Sequence, residues 1–141
     1  ERKIEEAISH YKMAIELKPG YARAHYNVGT TLFADRKTEE AISHFKMAIE
    51  LKPDFAAAHN NLGNALSAER KIEEAISHYK MAIKLNPDFA DAYNNLGAVL
   101  FNAKMTEEAI DYFKEAIRIR PGFAAAQKNL ETVLLRSEEL E

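Results

Sequence analysis

A period of 34 residues, repeated along nearly the whole chain, limits what this sequence can fold into. The stretch from Ala56 to Phe89 aligns with residues 22–55 and with residues 90–123 when it is moved by one period in either direction. Prolines and glycines keep the same spacing, at Pro19, Pro53, Pro87, Pro121, Gly29, Gly63 and Gly97. A period of this size indicates a stacked array of short units, each of which contacts only its neighbours.

Each period contains two stretches in which apolar residues recur at steps of three and four, the spacing of an amphipathic α-helix. One such stretch runs Ala41, Ile42, Phe45, Ala48 and Ile49, and it follows a pair of glutamates and precedes a proline. Glutamates favour the start of a helix, and a proline disfavours helical geometry in the residue before it. The sequence therefore predicts eight helices, with first helices near 22–35, 56–69, 90–103 and 124–137 and second helices near 4–17, 38–51, 72–85 and 106–119.

The recurring residues resemble the tetratricopeptide repeat, whose pattern is an aromatic residue, Leu-Gly, Tyr, Ala-x3-Phe and Pro. One unit carries these columns as Tyr93, Leu96-Gly97, Leu100, Ala109, Phe113 and Pro121. The resemblance implies an all-α fold, a right-handed superhelical solenoid of antiparallel helix hairpins. It divides the chain into a half repeat with a second helix only (1–21), three repeats (22–55, 56–89 and 90–123) and a C-terminal capping helix (124–141).

Some columns depart from the family pattern. His25, His59 and Gln127 replace the leading aromatic residue, and Leu replaces the later Tyr throughout. The two histidines are interpreted as residues at the edge of the core. The turn between the helices of a unit, where the family usually has Gly, holds Arg2, Arg36, Arg70 and Lys104. The geometry of that turn is left open, because a residue with a side chain is disfavoured at positive φ.

Two local predictions concern packing and helix starts. Family geometry implies that each glycine of the Leu-Gly column faces an alanine of the second helix, in the pairs Gly29–Ala41, Gly63–Ala75 and Gly97–Ala109. Small side chains there let the two helices approach closely, while the aromatic column fills wider gaps. Asp54 and Asp88, each just after a proline, are predicted N-caps of the following helices, with Gly20 and Gly122 as weaker caps.

The ends of the array differ from its middle. Glu131 stands in the column that otherwise holds Gly, and a large charged group there should not accept a further packed helix, so residues 124–141 are predicted to cap the array. The second helix near 4–17 has no first helix of its own. We therefore expect the chain to be a segment of a longer protein, or to meet another molecule at this end. The residues expected to be partly exposed there, and to mediate self-association, are Ala7, Ile8, Tyr11 and Ile15.

Composition and the remaining polar residues exclude several kinds of site. The chain has no Cys, which excludes disulfides, thiolate metal sites and Cys nucleophiles. Its net charge of −3 gives no bulk support for nucleic-acid binding. No apolar run approaches the roughly 18 residues of a membrane-spanning helix. We therefore expect no nucleic-acid partner, no membrane partner and a cytoplasmic location.

Candidate catalytic and metal-binding residues are few. His10, His44 and His78 recur in one column of the second helices, but equivalent points of stacked hairpins lie on the order of 10 Å apart. One ion cannot join them, because His ligands lie about 2.0–2.1 Å from their metal. The paired glutamates repeat with the period and are interpreted as charge at helix starts. We expect no catalytic site, no metal site and no cofactor.

A column of amides is the main candidate for binding. Asn27, Asn61, Asn95 and Asn129 recur on a side of the first helix that, in tetratricopeptide proteins, lines the concave groove. Each carboxamide offers donors and an acceptor that match a peptide unit, and the arrangement is similar to the asparagine ladder in the repeat arm of O-linked N-acetylglucosamine transferases. Further residues expected on this face are Tyr26, Asn60, Asn64, Asn94, Phe33, Phe101, Arg23, Thr30 and Lys128. Two alternatives stay open: Asn recurs because duplication copied it, or because it bonds helix ends locally.

The resemblance implies a non-catalytic scaffold that binds an extended peptide or protein segment in its concave groove. The carboxylate clamp of co-chaperones is not expected, because basic residues at the groove columns are scattered. Two further functions stay open. One is a self-assembling array that joins through the N-terminal helix, and the other is the substrate-recruiting arm of an enzyme such as a glycosyltransferase.

Overall fold

The chain is described by a computed structural model over residues 1–18 and 20–139, so Pro19 of the proline column and the last two residues of the predicted cap lie outside the described residues. Within these ranges the secondary structure is eight α-helices and no strand. The helices are α1 (Arg2–Leu17), α2 (Ala22–Ala34), α3 (Thr38–Leu51), α4 (Ala56–Ala68), α5 (Ile72–Leu85), α6 (Ala90–Asn102), α7 (Thr106–Ile119) and α8 (Ala124–Glu139). The predicted fold class, a solenoid of helix hairpins, is confirmed.

Helix packing follows chain order. The most extensive contacts join α2 with α3, α4 with α5 and α6 with α7, and each second helix also packs on the first helix of the next unit. First helices contact one another as well, α2 with α4, α4 with α6 and α6 with α8, whereas the second helices in the described ranges do not meet. The array therefore curves toward its first helices, which line the concave side.

Each hairpin turn is closed by a residue in the left-handed region, at Arg36 (φ 62°), Arg70 (φ 60°) and Lys104 (φ 65°). The next amide then reaches back over the end of the first helix, as when Lys71 N–H donates to the Leu66 carbonyl at 2.9 Å. This is the bond of a Schellman motif, which ends a helix by satisfying one of its last carbonyls. The turn that the sequence left open therefore has positive φ without glycine. Arg2, the remaining member of the column, lies within α1.

The predicted N-caps are wrong. The N-cap residues are Phe55 and Phe89, one position later than Asp54 and Asp88, and neither makes a side-chain capping bond. Tyr21 takes the same place before α2, so Gly20 is not the cap there either. At Phe55 the reason is packing, because this residue is only 6 % exposed and its ring centroid lies 4.9 Å from that of Tyr26. That ring is fixed against the core, and the helix starts after it.

The glycine column gives space to an aromatic ring rather than to an alanine. A Cβ added to Gly63 would lie 2.6 Å from Cε1 of Tyr79, and the rings of Phe45 and Phe113 lie equally close to Gly29 and Gly97. The prediction that these glycines face the alanines is therefore corrected, since ring atoms are their nearest neighbours. The aromatic side chain of the second helix lies across the first helix, and glycine is the residue that leaves room for it.

Candidate functional site

The predicted groove face is crossed by hydrogen bonds between consecutive first helices, which we call the seam bonds. Each runs from an asparagine side-chain N–H to a side-chain oxygen 35 residues earlier, over 3.0–3.2 Å. The donor–acceptor pairs are Asn61–Tyr26 (α4 to α2), Asn95–Asn60 (α6 to α4) and Asn129–Asn94 (α8 to α6). Asn61, Asn95 and Asn129 therefore join neighbouring units, which differs from local bonding to helix ends, while copying by duplication stays an open alternative.

The seam bonds leave part of each carboxamide for other partners. An asparagine side chain has two N–H groups and a carbonyl oxygen, and a seam bond uses one N–H of Asn61, Asn95 or Asn129. These three side chains are half-buried, as is Asn27, the first of the column. Asn60 differs because it is only 6 % exposed. Its main role is therefore to accept a seam bond, rather than to contact a ligand in the groove.

Asn64 has a partner within its own hairpin. The Tyr79 hydroxyl donates to Asn64 Oδ1 at 2.6 Å, and burial of Tyr79 raises the pKa of its phenol well above the usual range. In the other two complete hairpins the core ring is a phenylalanine, and Thr30 and Ala98 stand in place of Asn64. Asn64 therefore serves as acceptor for the buried hydroxyl, which limits its part in a groove.

Aromatic rings with a guanidinium above them mark both ends of the groove face. At the N-terminal end Arg23 lies over the rings of Tyr26 and Phe55, 5.5 and 5.1 Å from their centroids. At the C-terminal end Arg136 lies over Phe101, at 5.5 Å. The predicted groove residues Phe33 and Phe101 are half-buried, and Arg23 and Lys128 are exposed. Each end thus offers an apolar surface next to a positive charge.

The C-terminal end also contains a cavity that the sequence did not predict. Its volume is about 590 Å³, and it is lined by Phe101, Asn102, Lys104, Thr106, Glu107, Arg136 and Ser137. A second cavity of about 280 Å³ shares Phe101, Asn102 and Arg136 and reaches the seam residue Asn129. The larger cavity therefore lies between α8 and the residues around the turn that joins α6 to α7.

Two pairs of histidines join the helices of the first two complete hairpins. Nδ1 of His25 lies 3.3 Å from Nδ1 of His44, and Nδ1 of His59 lies 3.0 Å from Nδ1 of His78. His25 and His59 are buried, at 8 % and 6 % exposure, rather than at the edge of the core. Burial, and then the neighbouring histidine, lower the pKa of His44 and of His78 below the usual value. Both histidine columns were recognised from the sequence, but their pairing was not predicted. The two pairs share a separation of 19 residues within one hairpin, which could have indicated it.

The expected exposure of Ile8 is wrong. Ile8 is only 9 % exposed and belongs to the same core cluster as Val28, because α2 packs over it. Ala7, Tyr11 and Ile15 are half-buried. The residues equivalent to Ala7 and Tyr11 in the complete hairpins are at most 2 % exposed, because a first helix covers them. Self-association through Ala7, Tyr11 and Ile15 stays a prediction, and Ile8 is withdrawn from it.

Two further findings bear on the kind of protein. None of the helices in the described ranges has the length and apolar character needed to cross a membrane. Across those same ranges, no three side chains of His, Cys, Asp or Glu are grouped so that they could hold a metal ion together.

Comparison with known proteins gives consistent results along the chain. A family model described as TPR repeat matches residues 3–36, 32–69 and 68–103, and one described as tetratricopeptide repeat matches residues 90–123. A search of the curated proteins gave no match.

Solved structures share the fold. The MamA protein is 28 % identical with a TM-score of 0.85, and the alignment covers 93 % of this chain and 72 % of that one. The first TPR of Spaghetti (RPAP3), bound to the HSP90 peptide SRMEEVD, is 23 % identical with a TM-score of 0.81 and coverage of 83 % and 93 %. PilF of Pseudomonas aeruginosa is 23 % identical with a TM-score of 0.90 and coverage of 97 % and 63 %.

Proposed function

The chain belongs to the tetratricopeptide repeat family, and from this membership we propose that it is a non-catalytic protein-interaction scaffold which holds an extended peptide segment along its concave face. The observation that supports the proposal most is the polar seam on the first helices. It places partly satisfied carboxamides in a row on the inner side of a curved array, where an extended chain can lie.

Backbone recognition follows from the chemistry of that row. A peptide in extended conformation presents N–H and C=O groups at regular intervals, and every residue other than proline carries both. Asn61, Asn95 and Asn129 each keep a second N–H beyond their seam bond. Contacts of this kind place little demand on the sequence of the peptide, so they supply affinity rather than specificity.

Specificity in this proposal comes from the two ends of the groove. Arg23 with Tyr26 and Arg136 with Phe101 each combine a ring face with a guanidinium. Such a pair suits a side chain that is apolar along its length and acidic or polar at its tip. The RPAP3 module, which is similar in fold alone, is bound to a peptide in its structure. The likeness to the repeat arm of glycosyltransferases stays a prediction.

The proposal is tested by locating where peptides bind. Peptides selected from a random-sequence display library on the purified chain serve as the probe, and amide hydrogen exchange with and without peptide gives the footprint. We expect slower exchange in α2, α4, α6 and α8, because a bound peptide covers the first helices. Protection confined to α3, α5 and α7 would contradict a concave site. Failure of repeated selections to yield any binding peptide would contradict peptide binding itself.

A further inference from the structure

The helix α1 presents the same side chains as α5, because residues 1–15 are identical to residues 69–83. The two helices differ in what covers them. α5 packs against its hairpin partner α4 and against α6, whereas α1 packs against α2 alone among the described helices. Since α2 stands next to α1 as α6 stands next to α5, the uncovered side of α1 is the side that α4 covers on α5. The α4–α5 hairpin therefore shows which kind of helix fits that side.

Exposure identifies the residues on this side. Three of them in α5 are at most 2 % exposed, namely Ala75, Tyr79 and Ala82. Their identical counterparts in α1 are half-buried, namely Ala7, Tyr11 and Ala14. His10 is exposed, whereas its counterpart His78 is half-buried. We call Ala7, His10, Tyr11 and Ala14 the α1 face.

Three residues of α4 make specific contacts with the corresponding side of α5. Gly63 leaves room for the ring of Tyr79, since an added Cβ would lie 2.6 Å from a ring atom. The next residue, Asn64, accepts a hydrogen bond from the Tyr79 hydroxyl at 2.6 Å. His59 lies with its Nδ1 3.0 Å from Nδ1 of His78, which joins the two rings by a hydrogen bond. A helix with the same three residues can make the same contacts with the α1 face.

Asn27 on α2 gives independent support. Its equivalent in α6, Asn95, donates a seam bond to Asn60 of α4 at 3.1 Å. Asn27 is half-buried and has no side-chain hydrogen bond to another described residue. Its seam acceptor would stand at the position of Asn60 on a helix that covers the α1 face. Such a helix would therefore be held by α2 as well as by α1.

From these relationships we propose that the α1 face and Asn27 form a docking surface for an α-helix of a partner protein that carries the pattern His-Asn-x-x-Gly-Asn, as residues 59–64 do. This surface takes a helix, and it is separate from the concave face proposed for extended peptides. A second copy of the chain does not offer such a helix. Its α4 is packed on its own α5, and α8, whose hairpin side is not covered by any described helix, has Glu131 in the column of the glycine.

The experiment titrates the isotope-labelled chain with a synthetic peptide of residues 54–68, blocked at both ends, and follows the backbone amides by two-dimensional NMR. This method detects weak binding, which matters because an isolated helix of this length is marginal in water. We expect saturable shifts in α1 and α2. A peptide with Gly63→Glu should bind at least tenfold more weakly, because the larger side chain meets the ring of Tyr11.

The proposed bond from Asn27 gives a coupled pair of variants. Asn27→Ala in the chain and Asn60→Ala in the peptide should each weaken binding about 2- to 13-fold, the loss of one hydrogen bond. Both changes together should weaken binding no more than either alone, because they remove the same bond. The chain with Asn27→Ala should keep the wild-type unfolding curve, which separates loss of the contact from loss of the fold.

Several results would overturn the proposal. These are no saturable shift up to about 1 mM peptide, equal affinity for the peptide with Gly63→Glu, and shifts confined to helices other than α1 and α2. Self-association of the chain that is lost in Ala7→Arg would make a second copy the occupant. The last arm joins residues 54–68 directly before Glu1. A higher melting temperature for this chain than for its Gly63→Glu form, without binding of the free peptide, would assign the surface to an attached repeat.

Discussion

Asn95 donates a hydrogen bond from Nδ2 to Oδ1 of Asn60 over 3.1 Å, and this bond links the first helices of two neighbouring repeats. Neither residue is in the other's hairpin, and the two are 35 positions apart in the chain. Asn60 is 6 % exposed, so its carbonyl oxygen depends on Asn95 for a partner inside the protein. The row of asparagines that we propose as the binding face therefore also joins neighbouring repeats.

Removal of a seam bond should lower stability. Asn95→Ala leaves the buried oxygen of Asn60 without its donor, and an unsatisfied buried polar group costs about 1–3 kcal/mol. Asn27→Ala is the matched control, because Asn27 stands in the same column and has no side-chain hydrogen bond to another described residue. Urea unfolding followed by circular dichroism measures both. Equal loss in the two variants would show that the seam bond contributes nothing specific.

The Tyr79–Asn64 bond predicts that a second substitution recovers most of the stability that the first one loses. Asn64→Ala should destabilise by about 1–3 kcal/mol, because the buried Tyr79 hydroxyl loses its acceptor. Adding Tyr79→Phe removes that hydroxyl and recreates the Ala98 and Phe113 pair of the next hairpin, so most of the loss should be recovered. Thermal unfolding of the wild type, both single variants and the double variant measures this coupling. Additive effects in the double variant would contradict the proposed role of Asn64.

The glycine column predicts a large effect from one methyl group. In Gly63→Ala the new Cβ would lie 2.6 Å from the ring of Tyr79, and overpacking of this kind costs about 1–3 kcal/mol. A gain of up to about 1 kcal/mol in helix propensity offsets part of this. Gly122→Ala is the control, since nothing lies within 4 Å of the added Cβ and Gly122 does not have a positive φ. It should be neutral or stabilising by roughly 0.4–1 kcal/mol. A stabilising Gly63→Ala would show that the ring moves aside freely.

Stability should fall in mild acid. Burial and a second histidine lower the pKa of His44 and of His78 in the folded state below about 6.5, so the unfolded chain binds more protons in this range. The stabilising contribution is therefore complete above pH 6.5 and is lost as the pH falls below it. Melting temperatures from pH 7.5 to 5.5 should decrease more for the wild type than for a variant in which all four paired histidines are replaced by tyrosine, as at Tyr93 and Tyr112 of the third complete hairpin. The replaced residues are His25, His44, His59 and His78. Parallel curves would contradict the effect.

The period was enough to predict the helices and hairpins, because the apolar spacing and the prolines that specify a helix lie within or next to that helix. Contacts between units were harder to predict. The seam bonds, the His59–His78 pair and the burial of Ile8 by α2 depend on how each helix is rotated and tilted against the next. Periodicity does not specify that angle. Phe55 as N-cap of α4 was missed for a related reason, since its ring packs on Tyr26 of α2, a helix that is not next to α4 in the chain.

The concave site is the central claim, and the same substitution on opposite sides of one hairpin tests it most directly. Thr30 on α2 and Ser43 on α3 are both small, polar and exposed. Thr30→Arg places a long charged side chain on the predicted groove face, and Ser43→Arg places it on the second helix. The measurement is the dissociation constant of a library-selected peptide for wild type and both variants, with unfolding curves to confirm equal stability. We predict that Thr30→Arg weakens binding at least about tenfold, or ~1.4 kcal/mol, and that Ser43→Arg leaves it unchanged. Unchanged binding by Thr30→Arg, or a greater loss in Ser43→Arg, would contradict binding in the groove.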